Sequence, residues 1–240
     1  MSLAGQRVVV IGGTMGIGFA IAQGAQADGA RVVVASSNPA NVEAATARLQ
    51  GAEGFVVNVT DEASVEEALA GLGGFDHLAF TAGDWGGARR APLAEVDLEA
   101  ARSLFGVRFW GAAVVVRHAS KHIAVNGSIT LTDGMIAHRP TRGSAISTAM
   151  AGAVEHLTRG LAAELAPIRV NCVCPGAIRT GVWDSIPADV REARMKQMTE
   201  RQPLPRIGEP EEVAEAYLYL MRGGYTTGQV LRVDGGGSLV

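Results

Sequence analysis

Short runs of β-branched residues alternate along the chain with longer segments in which apolar residues recur at helical spacing. Seven runs predict β-strands, at residues 7–11, 31–35, 54–58, 77–81, 128–132, 168–173 and 230–233. The intervening segments predict helices, at about residues 17–28, 40–50, 61–71, 95–120, 145–165 and 209–222. Alternating strands and helices build a parallel sheet, and nearly continuous apolar runs are typical of strands buried on both faces. The pattern therefore predicts an α/β fold, a doubly wound parallel seven-stranded sheet with helices on both faces.

One segment, about residues 176–208, departs from this alternation. Its middle is charged and its flanks contain prolines and glycines. A long insertion after the carboxyl end of a strand is where α/β folds place lids over ligands. We therefore expect a single domain over residues 1–240 with a lid-like insertion, and an ordinary surface excursion is the alternative.

Composition narrows the class of protein. The chain has 240 residues, 48% of them hydrophobic, and a formal net charge of −3 without a long basic run, so nucleic acid is not an expected partner. No apolar run reaches the ~18 residues of a membrane span. The N-terminus leads directly into a strand without a signal peptide, so we expect a cytoplasmic protein with no membrane partner. Cys172 and Cys174 share one face of a predicted strand without evident further ligands, so we expect no metal.

A glycine-rich turn joins the first strand to the first helix, in the sequence "IGGTMGIG". Its glycines stand at Gly-x-x-x-Gly-x-Gly spacing, after a strand and before a helix, which is the context of a nucleotide-binding turn. Glycines let the backbone approach a pyrophosphate, whose charge is met by amides at the helix N-terminus. This turn predicts a Rossmann fold with cofactor contacts from Gly12, Thr14, Met15, Gly16, Ile17 and Gly18.

The end of the second predicted strand carries Ser36, Ser37 and Asn38. Sites for NAD usually place an acid there, about 20 residues beyond the loop, to hold the ribose hydroxyls. No carboxylate stands here to repel a 2′-phosphate, and two hydroxyls with turn amides are able to hold one. The sequence therefore favours NADP(H) over NAD(H), although no arginine is present to pair with the phosphate.

Several further motifs make the chain similar to the short-chain dehydrogenase/reductase family over nearly its whole length. "NVTD" (58–61) resembles the family's Asp-Val-Thr-Asp, and "FTAG" (80–83) resembles its Asn-Asn-Ala-Gly. "IRVNCVCPGAIRT" (168–180) resembles Arg-Val-Asn-x-Val-x-Pro-Gly-x-x-x-Thr. The resemblance implies further cofactor contacts from Asn58, Val59, Ala82, Gly83, Pro175, Gly176, Ile178 and Thr180. It also implies a homodimer or homotetramer, formed through helices 95–120 and 145–165.

The resemblance fails at the family's catalytic residues. Counting along "SAISTAMAGAVEHL" (144–157) puts the family's Tyr at Ser147 and its Lys at Ala151. The family's Ser falls on Gly134, and its helix Asn falls on Arg108. The chain is therefore an atypical member that lacks the Ser, Tyr and Lys of the family motif.

Two residues remain as catalytic candidates. Asp133 follows the fifth strand, where α/β sites form, and it can act as an acid only if burial keeps it protonated. An ordinary turn-forming role for this residue is the alternative. Ser147 can orient a substrate or relay a proton through water. Trp85 and Trp183 are candidates for pocket walls.

These residues predict an NADP(H)-dependent oxidoreductase with a non-standard proton-transfer site. Its substrate would be a small organic carbonyl, iminium or conjugated compound, because hydride addition to an iminium gives a neutral amine without protonation. A catalytically silent nucleotide-binding or sensor protein is the alternative, and non-redox chemistry such as dehydration comes third.

The strand end at residues 36–38 generates a prediction on cofactor choice. NADPH binds more tightly than NADH, and Ser37→Asp reverses the order because the new carboxylate repels a 2′-phosphate and accepts from the ribose hydroxyls. Calorimetry with both cofactors checks this. Tighter NADH binding to the unsubstituted protein would contradict it.

Overall fold

The computed structural model describes residues 2–83, 91–184 and 186–240. Its strands are β1 Arg7–Ile11, β2 Arg31–Ser36, β3 Glu53–Val56, β4 Phe75–Phe80, β5 Ile123–Thr132, β6 Arg169–Pro175 and β7 Val230–Val233. Its α-helices are α1 Gly16–Ala27, α2 Pro39–Arg48, α3 Glu62–Leu72, α4 Leu98–Phe105, α5 Ala112–Ala119, α6 Ala145–Glu164, α7 Ala188–Thr199 and α8 Pro210–Arg222. All strand pairs are parallel, in the order β3-β2-β1-β4-β5-β6-β7.

This order confirms the predicted doubly wound Rossmann sheet. The chain runs outward from β1 to β3 and then returns to the other side of β1 with β4. The carboxyl ends of β1 and β4 therefore flank the switch point, which is where such sheets bind ligands. No helix among the described residues is both long and apolar enough to cross a membrane.

The alternation of side chains along each strand divides the core into two layers. Val8 and Val10 of β1 pack with α1 and α8 on one face, while Val9 and Ile11 pack with α3, α5 and α6 on the other. Both sets are at most 1% exposed. The apolar runs of the sequence are therefore explained by burial on both sides of the sheet.

The predicted helix at 95–120 is interrupted in the structure. A π-helical turn, Gly106–Gly111, separates α4 from α5. Gly111 lies so close to Val59 that a Cβ atom there would be 2.8 Å from Cγ2 of Val59. Turns of this kind shift the register of a helix and are frequent at functional sites. Here the turn carries Arg108, which is only 6% exposed.

The C-terminal end of α8 is held by a buried arginine on β6. The Arg169 guanidinium donates from Nη1 to the Leu220 carbonyl at 2.6 Å and from Nη2 to the Met221 carbonyl at 3.1 Å. The last carbonyls of a helix have no partner within the helix, and a cation also complements the negative end of the helix dipole. Arg169 therefore links α8 to the central sheet.

We expect Arg169→Met to lower the free energy of unfolding by about 2–4 kcal/mol, because two buried carbonyls lose their donors. Urea denaturation followed by circular dichroism measures this. Arg232→Met is the matched control, since Arg232 is an exposed residue of β7 and should change stability by less than about 0.5 kcal/mol. Equal losses in the two variants would contradict the assignment.

Candidate active site

The glycine turn after β1 lies against the end of β4. Gly12 has φ +88° and Gly16 has φ +51°, conformations that favour glycine. A Cβ atom on Gly18 would collide with the Gly12 carbonyl, and Thr81 Oγ1 donates to that same carbonyl at 3.1 Å. A Cβ atom on Gly16 would lie 3.2 Å from Cγ2 of Thr180. The turn, β4 and the segment after β6 thus form one backbone cradle.

The N-terminus of α1 opens from this cradle. Met15 at the N-cap is 55% exposed, makes no side-chain cap, and is followed by a first turn without acids. Thr14 is buried and Ile17 is half-buried beside it. Free amides and a close backbone approach are what a pyrophosphate requires, so the cradle fits a dinucleotide.

The segment predicted to contact the ribose, residues 36–38, lies beside the cradle at the end of β2. The Gly12 amide donates to the Ala35 carbonyl at 2.8 Å, so Ser36 follows directly beside the glycine turn. Ser36 Oγ accepts from the Asn38 amide at 3.2 Å, and Asn38 Oδ1 accepts from Ala40 at 2.9 Å as the N-cap of α2. Ser37 is exposed. Ser36 and Asn38 therefore use some of their hydrogen-bonding atoms within the turn itself.

The contacts implied near the adenine come from the loop after β3. Asn58 is exposed, and its Oδ1 accepts from the amide of Thr60 at 3.1 Å. Val59 is 7% exposed and packs on the π-helical turn at Gly111. The Val57 amide donates to the Ser36 carbonyl at 3.0 Å, which brings this loop to the segment predicted to contact the ribose.

The segment after β6 contributes the remaining predicted contacts. Pro175 ends β6, and Gly176 passes so close to Asp234 that a Cβ atom would lie 2.7 Å from its Cα. Ile178 is buried and forms an isolated parallel bridge with Gly208. This bridge joins the two ends of the excursion predicted as a lid.

Ala82 and Gly83 follow β4 at the switch point. The guanidinium of Arg108 lies against Gly83, where any side chain would collide with it. Its Nη1 donates to the Asp133 carbonyl at 3.4 Å. The π-helical turn therefore places a buried positive charge between the ends of β4 and β5.

Asp133 is the first residue after β5, and it is 1% exposed. Neither of its carboxyl oxygens has a hydrogen-bond partner among the described residues. Burial, and next the neighbouring Glu155 carboxyl, raise the pKa of Asp133 to about 8. No atom of the described residues lies within 4 Å of the place where a Cβ atom on the adjacent Gly134 would stand. Burial therefore favours the protonated form of Asp133.

Four side chains meet at this point of the fold. Asp133, His138, Glu155 and Cys174 each bring one atom suited to metal binding within 4.8 Å of the others. His138 Nε2 lies 2.6 Å from Glu155 Oε1, and the Glu155 side chain is 7% exposed. Contrary to the expectation from sequence, Cys174 therefore does have candidate metal ligands beside it.

Ser147 lies on α6, where its Oγ donates to the Ser144 carbonyl at 3.0 Å. Ser147, Ala151 and Glu155 are spaced four residues apart, so they share one face of the helix. This spacing places a single acid, Glu155, in line with two small residues, and it could have identified Glu155 as a site residue from the sequence. Glu155 was not among the residues predicted there. Trp183 donates from Nε1 to the Ile178 carbonyl at 2.8 Å, whereas Trp85 lies outside the described residues.

The chain belongs to the short-chain dehydrogenase/reductase family. The family model described as enoyl-(acyl carrier protein) reductase matches residues 12–238. The short-chain dehydrogenase/reductase malC of Malbranchea aurantiaca is 35% identical over 252 residues, covering 98% of this chain and 95% of the relative. Human L-xylulose reductase is 33% identical over 241 residues, covering 98% of this chain and 97% of the relative. The chain is thus similar to oxidoreductases along its length.

Solved structures give the same result. The MalC reductase/Diels–Alderase of Malbranchea aurantiaca matches with a TM-score of 0.90 and 34% identity, covering 99% of this chain and 97% of that chain. A small-chain dehydrogenase in complex with NADPH matches with a TM-score of 0.85 and 32% identity, covering 98% of this chain and 100% of that chain. The predicted family and fold are confirmed.

The raised pKa of Asp133 generates a prediction on stability. An unfolded Asp ionises near its ordinary pKa of 3.8, whereas the folded protein keeps the proton up to about pH 8. The folded state then binds the extra proton between these values, so stability falls as pH rises through this window and levels off above it. Asp133→Asn removes this dependence. We expect its free energy of unfolding, relative to the parent, to increase by about 3–4 kcal/mol from near pH 5 to near pH 8.

Urea denaturation at several pH values measures the difference. Asp189→Asn is the control, because Asp189 is exposed in the first turn of α7. A pH dependence of the Asp133→Asn difference that matches the control would contradict a protonated Asp133.

Proposed function

We propose that this chain is an NADP(H)-dependent reductase of a small organic carbonyl, iminium or conjugated compound, with Asp133 as its proton donor. The observation that carries the proposal is the buried carboxyl of Asp133, which has no partner among the described residues and a pKa raised to about 8. This acid lies at the carboxyl end of β5, beside the switch point of the sheet. Acids with pKa values near the working pH are the most effective general acids.

NADP(H) is the cofactor that the site supports best. The glycine cradle and the exposed N-terminus of α1 favour a dinucleotide, and the absence of an acid at residues 36–38 favours one with a 2′-phosphate. The similar small-chain dehydrogenase was solved with NADPH. The residues that would hold NADP(H) are those predicted as cofactor contacts. They lie in the glycine turn, at Ser36–Asn38, at Asn58–Val59, at Ala82–Gly83 and at 175–180.

The usual catalytic residues of the family are replaced in this chain. By the motif spacing, Ser147, Ala151, Gly134 and Arg108 stand where the family has Tyr, Lys, Ser and Asn. Small residues on α6 and at Gly134 leave room beside the acid, and the lack of any described atom within 4 Å of a Cβ atom on Gly134 supports this. In place of the family's catalytic residues, Asp133 donates the proton and Arg108 stabilises the developing negative charge.

When bound, NADPH supplies the hydride. Arg108, whose guanidinium lies between Gly83 and Asp133, stabilises negative charge that develops on a substrate oxygen. The neutral Asp133 delivers its proton to that oxygen, which an ionised carboxylate would repel. Ser147 orients the substrate through its hydroxyl. A substrate that is already an iminium needs no proton, so only carbonyl and conjugated substrates depend on Asp133.

The excursion at 176–208 is proposed as the lid. Its base is fixed by the bridge between Ile178 and Gly208, and α7 lies within it. Burial of Ile178 beside the cradle supports a lid that folds over the cofactor. We assign the whole chain to one domain and expect a homodimer or homotetramer that pairs through α6 and the helices at 98–119.

Cycloaddition is a second candidate activity. One similar structure is described as a reductase/Diels–Alderase, at 34% identity over 99% of this chain. Such a step moves no hydride, and a neutral buried acid is able to activate a polar dienophile by hydrogen bonding. Product analysis of each reaction mixture therefore includes cyclised products.

The test is NADPH oxidation with a panel of ketones, conjugated enones and cyclic iminium salts. We expect Asp133→Asn to lower kcat/KM about 10²-fold for ketones and enones, because the acid is lost, and to leave iminium reduction nearly unchanged. Ser147→Ala should have a smaller effect that falls mainly on KM. Unchanged NADPH affinity in each variant controls for folding.

Two results would overturn the proposal. NADPH binding without reduction of any panel compound favours a nucleotide sensor. Reduction of ketones by Asp133→Asn within about twofold of the parent, a difference of about 0.4 kcal/mol, excludes Asp133 as the acid.

A further inference from the structure

A buried acid that gives its proton to a substrate must regain one before the next reaction. Asp133 is 1% exposed, so it has no direct contact with solvent by which to do so. Glu155 is buried beside it, with 5% of the residue exposed. The only polar side chain of this cluster with substantial exposure is His138, at 28% for the side chain.

These three residues form a line from the protein surface to the acid. His138 follows the short 3₁₀ turn after β5, and its Nε2 lies 2.6 Å from Glu155 Oε1. The Glu155 carboxyl in turn lies within 4.8 Å of the Asp133 carboxyl and is the second cause of its raised pKa. Each step in the line is short enough for direct proton transfer or for transfer through one water.

We infer that Glu155 and His138 form a proton relay that returns a proton from solvent to Asp133 after each reaction. The His138 imidazole takes up one proton from solvent and releases its Nε2 proton to Glu155. Glu155 passes one proton to the Asp133 carboxylate, so each proton given to substrate is replaced by one from water. This role rests on the proposed function, in which Asp133 is the donor.

The surroundings of the cluster favour protons over a bound metal ion. Burial raises the pKa values of the Cys172 and Cys174 thiols well above their ordinary value, so both stay neutral. A metal site of this composition would have to expel protons from the Cys174 thiol and the Asp133 carboxyl in a region that disfavours charge. His138 Nε2 and Glu155 Oε1 lie 2.6 Å apart, close enough for an ion pair, although the two atoms are not aligned as a hydrogen bond.

Other charged and titratable groups face the two carboxyls from the surrounding elements. Arg159 Nη2 lies 4.0 Å from Glu155 Oε2 on the same helix. The facing groups on α6, the π-helical turn, the loop after β5, β6 and α8 are Arg159, Arg108, His138, Cys172, Cys174 and Tyr217. Arginine is permanently charged, and the buried thiols and the buried Tyr217 hydroxyl stay neutral and away from solvent. Among these facing groups of the described residues, His138 is therefore the one able to exchange protons with water.

Kinetics separate a relay from a structural role. The probe is the panel ketone or enone that the parent protein reduces best, mixed rapidly with the NADPH complex near pH 7, below the pKa of Asp133. In His138→Gln the first turnover should keep the parent rate, because Asp133 already holds its proton, while later turnovers should slow at least fivefold, by about 1 kcal/mol. Added imidazole should restore the later turnovers. His156→Gln is the matched control, since His156 is an exposed histidine of α6, the helix that carries Glu155.

A second measurement needs no substrate. Carboxyl ¹³C chemical shifts, with the Asp133 signal assigned through Asp133→Asn, follow the protonation of Asp133 in the free protein. The midpoint should lie near 8 in the parent and fall by about one pH unit or more in Glu155→Gln, because a neighbouring carboxyl is lost while burial remains. Glu164→Gln, an exposed acid on α6, is the control.

The outcomes distinguish the relay from the function on which it rests. An unchanged Asp133 midpoint in Glu155→Gln overturns the relay even if ketones are reduced. Equal slowing of first and later turnovers in His138→Gln, or no rescue by imidazole, also overturns it. Tight binding of one Zn²⁺ that is lost in Cys174→Ala overturns it in favour of a metal centre. If no compound is reduced but the Asp133 midpoint shifts as expected in Glu155→Gln, the proposed function is wrong, while the interaction between the two carboxyls is supported.

Discussion

The structure depends on the cost of placing charge in the buried space after β5. A carboxylate there would be separated from water and would face a second carboxyl, so Asp133 keeps its proton to about pH 8. An aspartate is an anion at most protein surfaces, but this constraint makes Asp133 a proton donor. An acid buried in this way needs a source of protons, and among the described residues we propose that Glu155 and His138 provide it.

The topology of the Rossmann sheet determines which residues surround this buried space. Parallel strands bring the ends of β4, β5 and β6 to one edge, where Gly83, Asp133 and Cys174 stand close together. The π-helical turn adds Arg108, and α6 adds Glu155 one helical turn beyond Ala151. The cofactor cradle is built at the same edge, from the glycine turn after β1, the end of β4 and the segment after β6.

Much of this was predictable from the sequence because burial on both faces of a sheet leaves an apolar run that is readable residue by residue. The seven strands, the glycine turn and the position of Asp133 follow from such local patterns. The interruption of the predicted helix at 95–120 was not predictable, because the close packing of Gly111 on Val59 comes from a distant segment. The meeting of His138, Glu155 and Cys174 was missed for the same reason, since three separate elements contribute them.

The central claim is that Asp133 carries a proton at neutral pH and faces the reacting end of the cofactor. Neutron diffraction from crystals of the NADPH complex, grown in heavy water near neutral pD, tests it most directly. The account predicts a deuteron on the Asp133 carboxyl and an open path from that carboxyl to the nicotinamide ring. A bare carboxylate, or protein atoms packed between Asp133 and the ring, would contradict it.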